Sequence, residues 1–140
     1  MAATTPGRDH GVTLIRVLAA LVALRALTDF GKPFGTGSGI VVLGQLVTGA
    51  PMVALSVAIG AWMLVLAWAL WTVRPLAVPL GAAYVAYVLV NLIRFPMVQG
   101  LPKNLPYPPA AVAAGYVVYA LVALGVPGIA TLLVARRRRG

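Results

Sequence analysis

Few residues in this chain carry chemistry, and those that do are spaced as on helices. The run Leu76 to Phe95, LAVPLGAAYVAYVLVNLIRF, holds Tyr84, Tyr87, Asn91 and Arg94 at intervals of three, four and three. At 100° per residue these side chains fall within an arc of about 80°, one narrow polar stripe on an apolar cylinder. Earlier in the chain, Arg25 and Asp29 stand four residues apart. That spacing puts both on one helix face, where the carboxylate can accept from the guanidinium and lower the cost of burying either. Later, Tyr116 and Tyr119 again share a face. Guanidinium, carboxamide and phenol groups suit the holding of an anion: a lipid phosphate, a carboxylate, or a quinone or phenol headgroup. None of them forms a nucleophile with a partnered base, so no catalytic residue is assigned.

Other chemistries are excluded by composition. The chain has no Cys, which removes thiol nucleophiles, disulfides and thiolate metal sites together. One His, His10, leaves no basis for bis-His haem ligation or an ordinary zinc site. No cofactor is implied. The 140 residues are 61% hydrophobic and only 9% charged, far from the quarter or so of charged residues usual in soluble domains. Eleven Lys and Arg stand against two acidic residues, both Asp, for a net charge of +9. In a soluble protein this balance would point to nucleic acid; beside hydrophobic spans, anionic lipid headgroups are the natural counter-charge, and no nucleic-acid partner is expected.

The elements that must position these groups are all-α: a four-transmembrane-helix bundle, up-down-up-down, in a single domain over residues 1–140. Spans are expected at about 13–30, 52–73, 76–95 and 110–134, each near the roughly 20 residues that a bilayer core of about 30 Å requires. Residues 1–12 read as a loose polar tail. Arg16 lies one turn inside its end of span one and can snorkel to the headgroups. The Gly-rich loop 31–50 has six glycines and one short apolar patch, Ile40 to Val47, read as an interfacial helix, with a short strand or a re-entrant segment as alternatives. GTGSG within it lacks the Lys-Ser/Thr of a phosphate loop. Span two opens after Pro51 and carries Ala54, Ala58, Ser56 and Gly60 at four-residue spacing, which suits close helix approach. Trp68, Trp71 and Arg74 close it as an aromatic belt and basic anchor. The Arg74-Pro75 turn makes spans two and three antiparallel neighbours. Span three ends at Phe95-Pro96, and the loop 96–109, with five prolines, is stiff and extended. Gly125 and Pro127 predict a kink in span four.

Arg8, Arg74 and Arg136 to Arg139 lie on one side, against Lys32 and Lys103 in the loops of the other. The positive-inside rule then puts both termini in the cytoplasm of a cell (inner) membrane, with Arg74 and Arg136 to Arg139 on anionic headgroups. The Arg, Ala, Val and Leu richness suggests a bacterial source. On this orientation Arg25 and Asn91 sit about 6 to 8 Å below the outer boundary, and Tyr87, Tyr116 and Tyr119 about 9 to 14 Å, at about 1.5 Å per residue. Arg25, Asp29, Tyr87, Asn91, Arg94, Tyr116 and Tyr119 therefore form the candidate ligand site if spans one, three and four are adjacent. Two arginines meet one aspartate there, leaving one positive charge over.

At Arg16, Arg25 and the exit Asp29-Phe30-Gly31-Lys32, span one resembles the opening of DoxX-like bacterial membrane proteins over about 20 residues. Where that family often has an acidic residue before its second helix, this chain has Gln45 and Thr48. The resemblance implies a small four-helix bundle working with other membrane components and adds no catalytic residue. Three functions compete: a non-enzymatic membrane subunit or scaffold, a small multidrug-type transporter, and a membrane enzyme acting on a lipid or quinone-like substrate. The transporter wants a membrane carboxylate for proton exchange, and only Asp29 is near. The enzyme has a precedent in the glutathione-using four-helix family, whose Glu-bearing signature is missing. The subunit or scaffold is the main reading, with a homodimer or larger complex through the small-residue faces of spans two and four.

Overall fold

The computed structural model describes residues 7–34, 39–99 and 108–139, with side chains from residue 10 onward. Four helices carry the fold: α1 (Gly7–Gly31), α2 (Ala50–Trp71), α3 (Ala77–Val98) and α4 (Pro109–Arg139). Each contains a stretch long and apolar enough to cross a bilayer. A 3-10 turn, Lys32–Phe34, follows α1. A two-stranded antiparallel hairpin, β1 (Ile40–Val42) and β2 (Gln45–Val47), precedes α2. The GTGSG segment lies mostly outside the described residues, as do Lys103 and the greater part of the Pro-rich loop.

The distribution of side chains is inverted relative to a water-soluble bundle. Leu14, Val17, Leu21, Leu24 and Leu27 of α1 and Val117, Val118, Leu121 and Val122 of α4 face outward, while Asp29, Ser56 and Thr131 are buried. Apolar surface on this scale around an apolar core is stable only against acyl chains. The protein is a multi-pass integral membrane protein.

Packing follows from spacing. On α1 the buried residues Ile15, Ala19, Val22 and Ala26 recur at intervals of four, three and four, a single seam. That seam lies chiefly on α2; α4 packs against both α1 and α3, and α2 meets α3 over a smaller area. The cyclic order is thus α2, α1, α4, α3. The expectation that spans one, three and four are mutual neighbours is half met: α1 and α3 sit diagonally and α4 bridges them.

Two close approaches rest on glycine. A Cβ on Gly60 would stand 2.9 Å from the Phe30 ring, and one on Gly81 would overlap the Thr131 side chain. The Ser56–Gly60 face of α2, read from sequence as available to a second copy, is therefore buried, with Phe30 of α1 over Gly60; Ala54 and Ala58 remain outward.

Several boundaries differ from expectation. Helix α1 begins at Gly7, so residues 7–12 are helix rather than tail, and α4 runs through Pro127 to include all four terminal arginines. Residues 40–47 form the hairpin, not an interfacial helix. Its connection is Leu43-Gly44, with φ of 51° and 83°, the doubly left-handed geometry of a two-residue hairpin turn. β-Branched Ile40, Val41, Val42 and Val47 and the glycine favour that outcome over a helix. Span three does not stop before Pro96: α3 continues to Val98 with the proline inside it.

Replacing Gly81 with Leu forces apart α3 and α4 at Thr131 and is expected to destabilise the protein by about 1–3 kcal/mol. Gly115 of α4 has nothing within 4 Å of its Cβ position. Gly115→Leu should be neutral or slightly stabilising, since leucine is the better helix former. Thermal unfolding of both variants in one detergent checks the contrast.

Candidate functional site

The polar stripe of α3 meets the hairpin rather than a second helix. The Tyr87 hydroxyl donates to the Val41 carbonyl at 2.9 Å, and the Asn91 Oδ1 accepts from the Gly44 N–H at 3.1 Å. Gly44 sits directly on Arg94, where a Cβ would lie 2.6 Å from the Arg94 Cβ and 2.8 Å from its backbone carbon. Among the described residues the two strands have no further strand to join, and these side chains give their backbone partners. The stripe turns about 80° over its length, because three, four and three residues fall short of three full turns. Tyr84 is consequently buried in the core, Tyr87 and Asn91 are half-buried, and Arg94 is exposed.

Beneath the hairpin lies a cavity of about 380 Å³, within the size range of small-molecule sites. Arg25, Asp29 and Lys32 line it from α1 and its 3-10 turn, Tyr84, Tyr87 and Asn91 from α3, and Tyr116 and Tyr119 from α4. Ile40 and Val41 of the hairpin also line it. Six of the seven residues singled out from sequence are brought together here. The seventh, Arg94, is not among the lining residues; it turns outward under the hairpin.

The ion pairing also differs from expectation. Asp29, only 3% exposed, pairs with Lys32 three residues on, not with Arg25. Arg25 instead donates from Nη2 to the Tyr119 hydroxyl at 3.1 Å, its guanidinium 5.4 Å from the centre of that ring. The surplus cation thus remains, but it arises from Arg25 and Lys32 against Asp29. Sequence reasoning assigned Lys32 to a loop and left Tyr84 out of the site. The signal for Asp29 was available: it continues the four, three, four seam of α1, falling three residues after Ala26. Lys32, three residues further, lies on that face too.

Tyr116 has a distinct task. Pro96 lacks an N–H, so the Leu92 carbonyl of α3 loses its ordinary donor four residues on. The Tyr116 hydroxyl from α4 donates to that carbonyl at 2.6 Å. The helix passes through a proline because its neighbour supplies the missing bond.

Trp62 of α2 supports the cavity from below. Its ring packs edge-on to Tyr84, with centroids 5.8 Å apart, and tilted against Tyr87 at 6.0 Å. The indole Nε1 is buried and makes no hydrogen bond among the described residues.

At the opposite end two arginines stack on tryptophans. Arg74 lies 4.5 Å from the centre of the Trp68 ring and Arg16 5.7 Å from that of Trp71. Arg137 stands beside Gly11, so α4 brings its basic turn to this same end. Basic groups over aromatic rings at a span end suit the headgroup region.

Compared with known proteins, the chain matches no family model, no curated protein and no solved structure. Its class is defined by the fold alone, a small four-helix integral membrane protein.

The Tyr116→Phe variant leaves the Leu92 carbonyl without a partner and should lose about 1–3 kcal/mol of stability. In a Pro96→Ala background the restored N–H serves that carbonyl, and the same change should cost measurably less. A double-mutant cycle read by thermal unfolding tests the coupling. Asn91→Leu should speed amide exchange at Gly44 well beyond that of the helix cores, as hydrogen exchange in detergent would reveal.

Proposed function

We propose that this protein is a non-enzymatic membrane subunit or scaffold that holds an anionic or quinone-like headgroup in the outer half of its bundle. The observation that carries the reading is the charge balance among the described residues of the cavity: Arg25 and Lys32 stand against one carboxylate, Asp29, which pairs with Lys32. A surplus cation in a medium of low dielectric attracts an anion strongly. Tyrosine hydroxyls around it offer directional hydrogen bonds of the kind that orient a bound headgroup. No nucleophile stands beside a base among the lining residues, which favours binding over catalysis. Asp29 is engaged by Lys32, which disfavours the proton-exchanging transporter.

In this reading the helices run up-down-up-down with both termini in the cytoplasm of a bacterial cell membrane. Arg16, Arg74 and Arg136 to Arg139 meet anionic headgroups there, and the cavity opens toward the other face. The resemblance of span one to DoxX-like proteins fits a bundle that works beside other membrane components, in a homodimer or a larger complex. With Ser56 and Gly60 buried, the outward Ala54 and Ala58 are the part of this small-residue set left for such contact.

Native mass spectrometry of the protein in a mild non-ionic detergent tests the binding claim. A co-purified small molecule is expected on the wild type, lost in Arg25→Ala and in Lys32→Ala, and retained in Arg94→Ala, whose side chain lies outside the cavity. Absence of any adduct from all samples would leave the bundle as a scaffold without a ligand.

A further inference from the structure

We infer that the ligand of this cavity is a single-chain anionic amphiphile that enters sideways from the bilayer between α1 and α4; this rests on the binding reading above and names its ligand class. A second cavity of about 310 Å³ runs between those two helices and reaches Met63 and Tyr84 at its floor. It shares Arg25, Tyr84 and Tyr119 with the first cavity, so the Arg25–Tyr119 pair forms the boundary between them. The two spaces differ in character. One gathers Arg25, Lys32, Asp29 and tyrosine hydroxyls, while the other is walled largely by Leu21, Val22, Val122 and Val126.

The open mouth of the apolar space faces lipid. Leu21 is 46% exposed and Val122 58% exposed, and both belong to the outward face that contacts acyl chains. Over the polar cavity, by contrast, the hairpin is laid down and held by Tyr87 and Asn91. A molecule arriving through the bilayer would place its charged end beside Arg25 and Lys32 and leave its chain in the groove, with no apolar segment exposed to water. One surplus positive charge neutralises a carboxylate in full and a phosphate monoester in its monoanionic form. Tyr119 is 45% exposed, so its ring has room to swing aside as the headgroup passes.

The test uses the full chain in phosphatidylcholine nanodiscs with two probes, inorganic phosphate and decyl phosphate, counted as adducts by native mass spectrometry. Val122→Trp fills the mouth of the groove at a lipid-exposed position and leaves the polar cavity intact. Decyl phosphate should bind at a concentration at least tenfold below inorganic phosphate. Val122→Trp should weaken decyl phosphate tenfold or more and leave inorganic phosphate unchanged, and Arg25→Ala should weaken both. Equal binding of the two probes, insensitive to Val122→Trp, would mean that a soluble anion enters from the water side; the lateral route then falls and the binding reading stands. Decyl phosphate binding that survives Arg25→Ala unchanged would show that the chain alone partitions, and would overturn the proposal. If neither probe binds the wild type above its Arg25→Ala background, the binding reading fails and takes the amphiphile with it.

Discussion

A peptide N–H or C=O inside a bilayer has no water to turn to, and much of the polar chemistry of this protein answers that constraint. A two-stranded hairpin has edges with nothing to pair with, and a proline within a helix strands a carbonyl one turn back. Tyr87 and Asn91 serve the hairpin, and Tyr116 serves the carbonyl left by Pro96. Three of the polar residues that look like a binding site in the sequence thus hold backbone in place. Tyr87 and Asn91 thereby also create the site, because the hairpin they fasten is the roof of the cavity.

The groups left over after that accounting are ionic. Buried Asp29 is neutralised by a residue of the adjoining 3-10 turn, which releases Arg25 to reach across to α4. An arginine at membrane depth costs at least about 2.5–3.5 kcal/mol unless it is solvated or paired. The Tyr119 ring and hydroxyl supply part of that compensation without cancelling the charge. A neutral partner leaves the positive field in the cavity, as a carboxylate would not.

Much of this fold was legible in the sequence, because a helix in lipid announces itself by length and by lack of charge. Four helices long and apolar enough to span follow from composition and period alone; the grouping of Arg25 with Tyr87, Asn91, Tyr116 and Tyr119 needed the further premise that spans one, three and four adjoin, and α4 meets it by bridging α1 and α3. What was not legible has physical reasons. Ile40 to Val47 is too short for periodicity to separate helix from hairpin, and its β-branched residues need the left-handed Leu43-Gly44 pair to close the turn. Pro96 looks like a terminator until the hydroxyl of a residue twenty positions later is known to serve the exposed carbonyl. Arg94 shares a stripe with Asn91, yet the drift of that stripe around the helix carries it out of the cavity. Partner choice for Asp29 depended on a 3-10 turn that brings Lys32 back over the carboxylate.

The helical continuation of α4 through Arg136 to Arg139 has a mechanical consequence. Four successive positions at 100° steps encircle the axis almost completely, so the guanidinium groups form a collar instead of a charged side. A collar resists being drawn into hydrocarbon equally in every direction and therefore sets how deep the rod sits. It exerts no torque about the rod's own axis. Azimuth comes from packing: Thr131 fits the notch at Gly81, the Tyr116 hydroxyl reaches α3, and Arg137 stands beside Gly11 of α1.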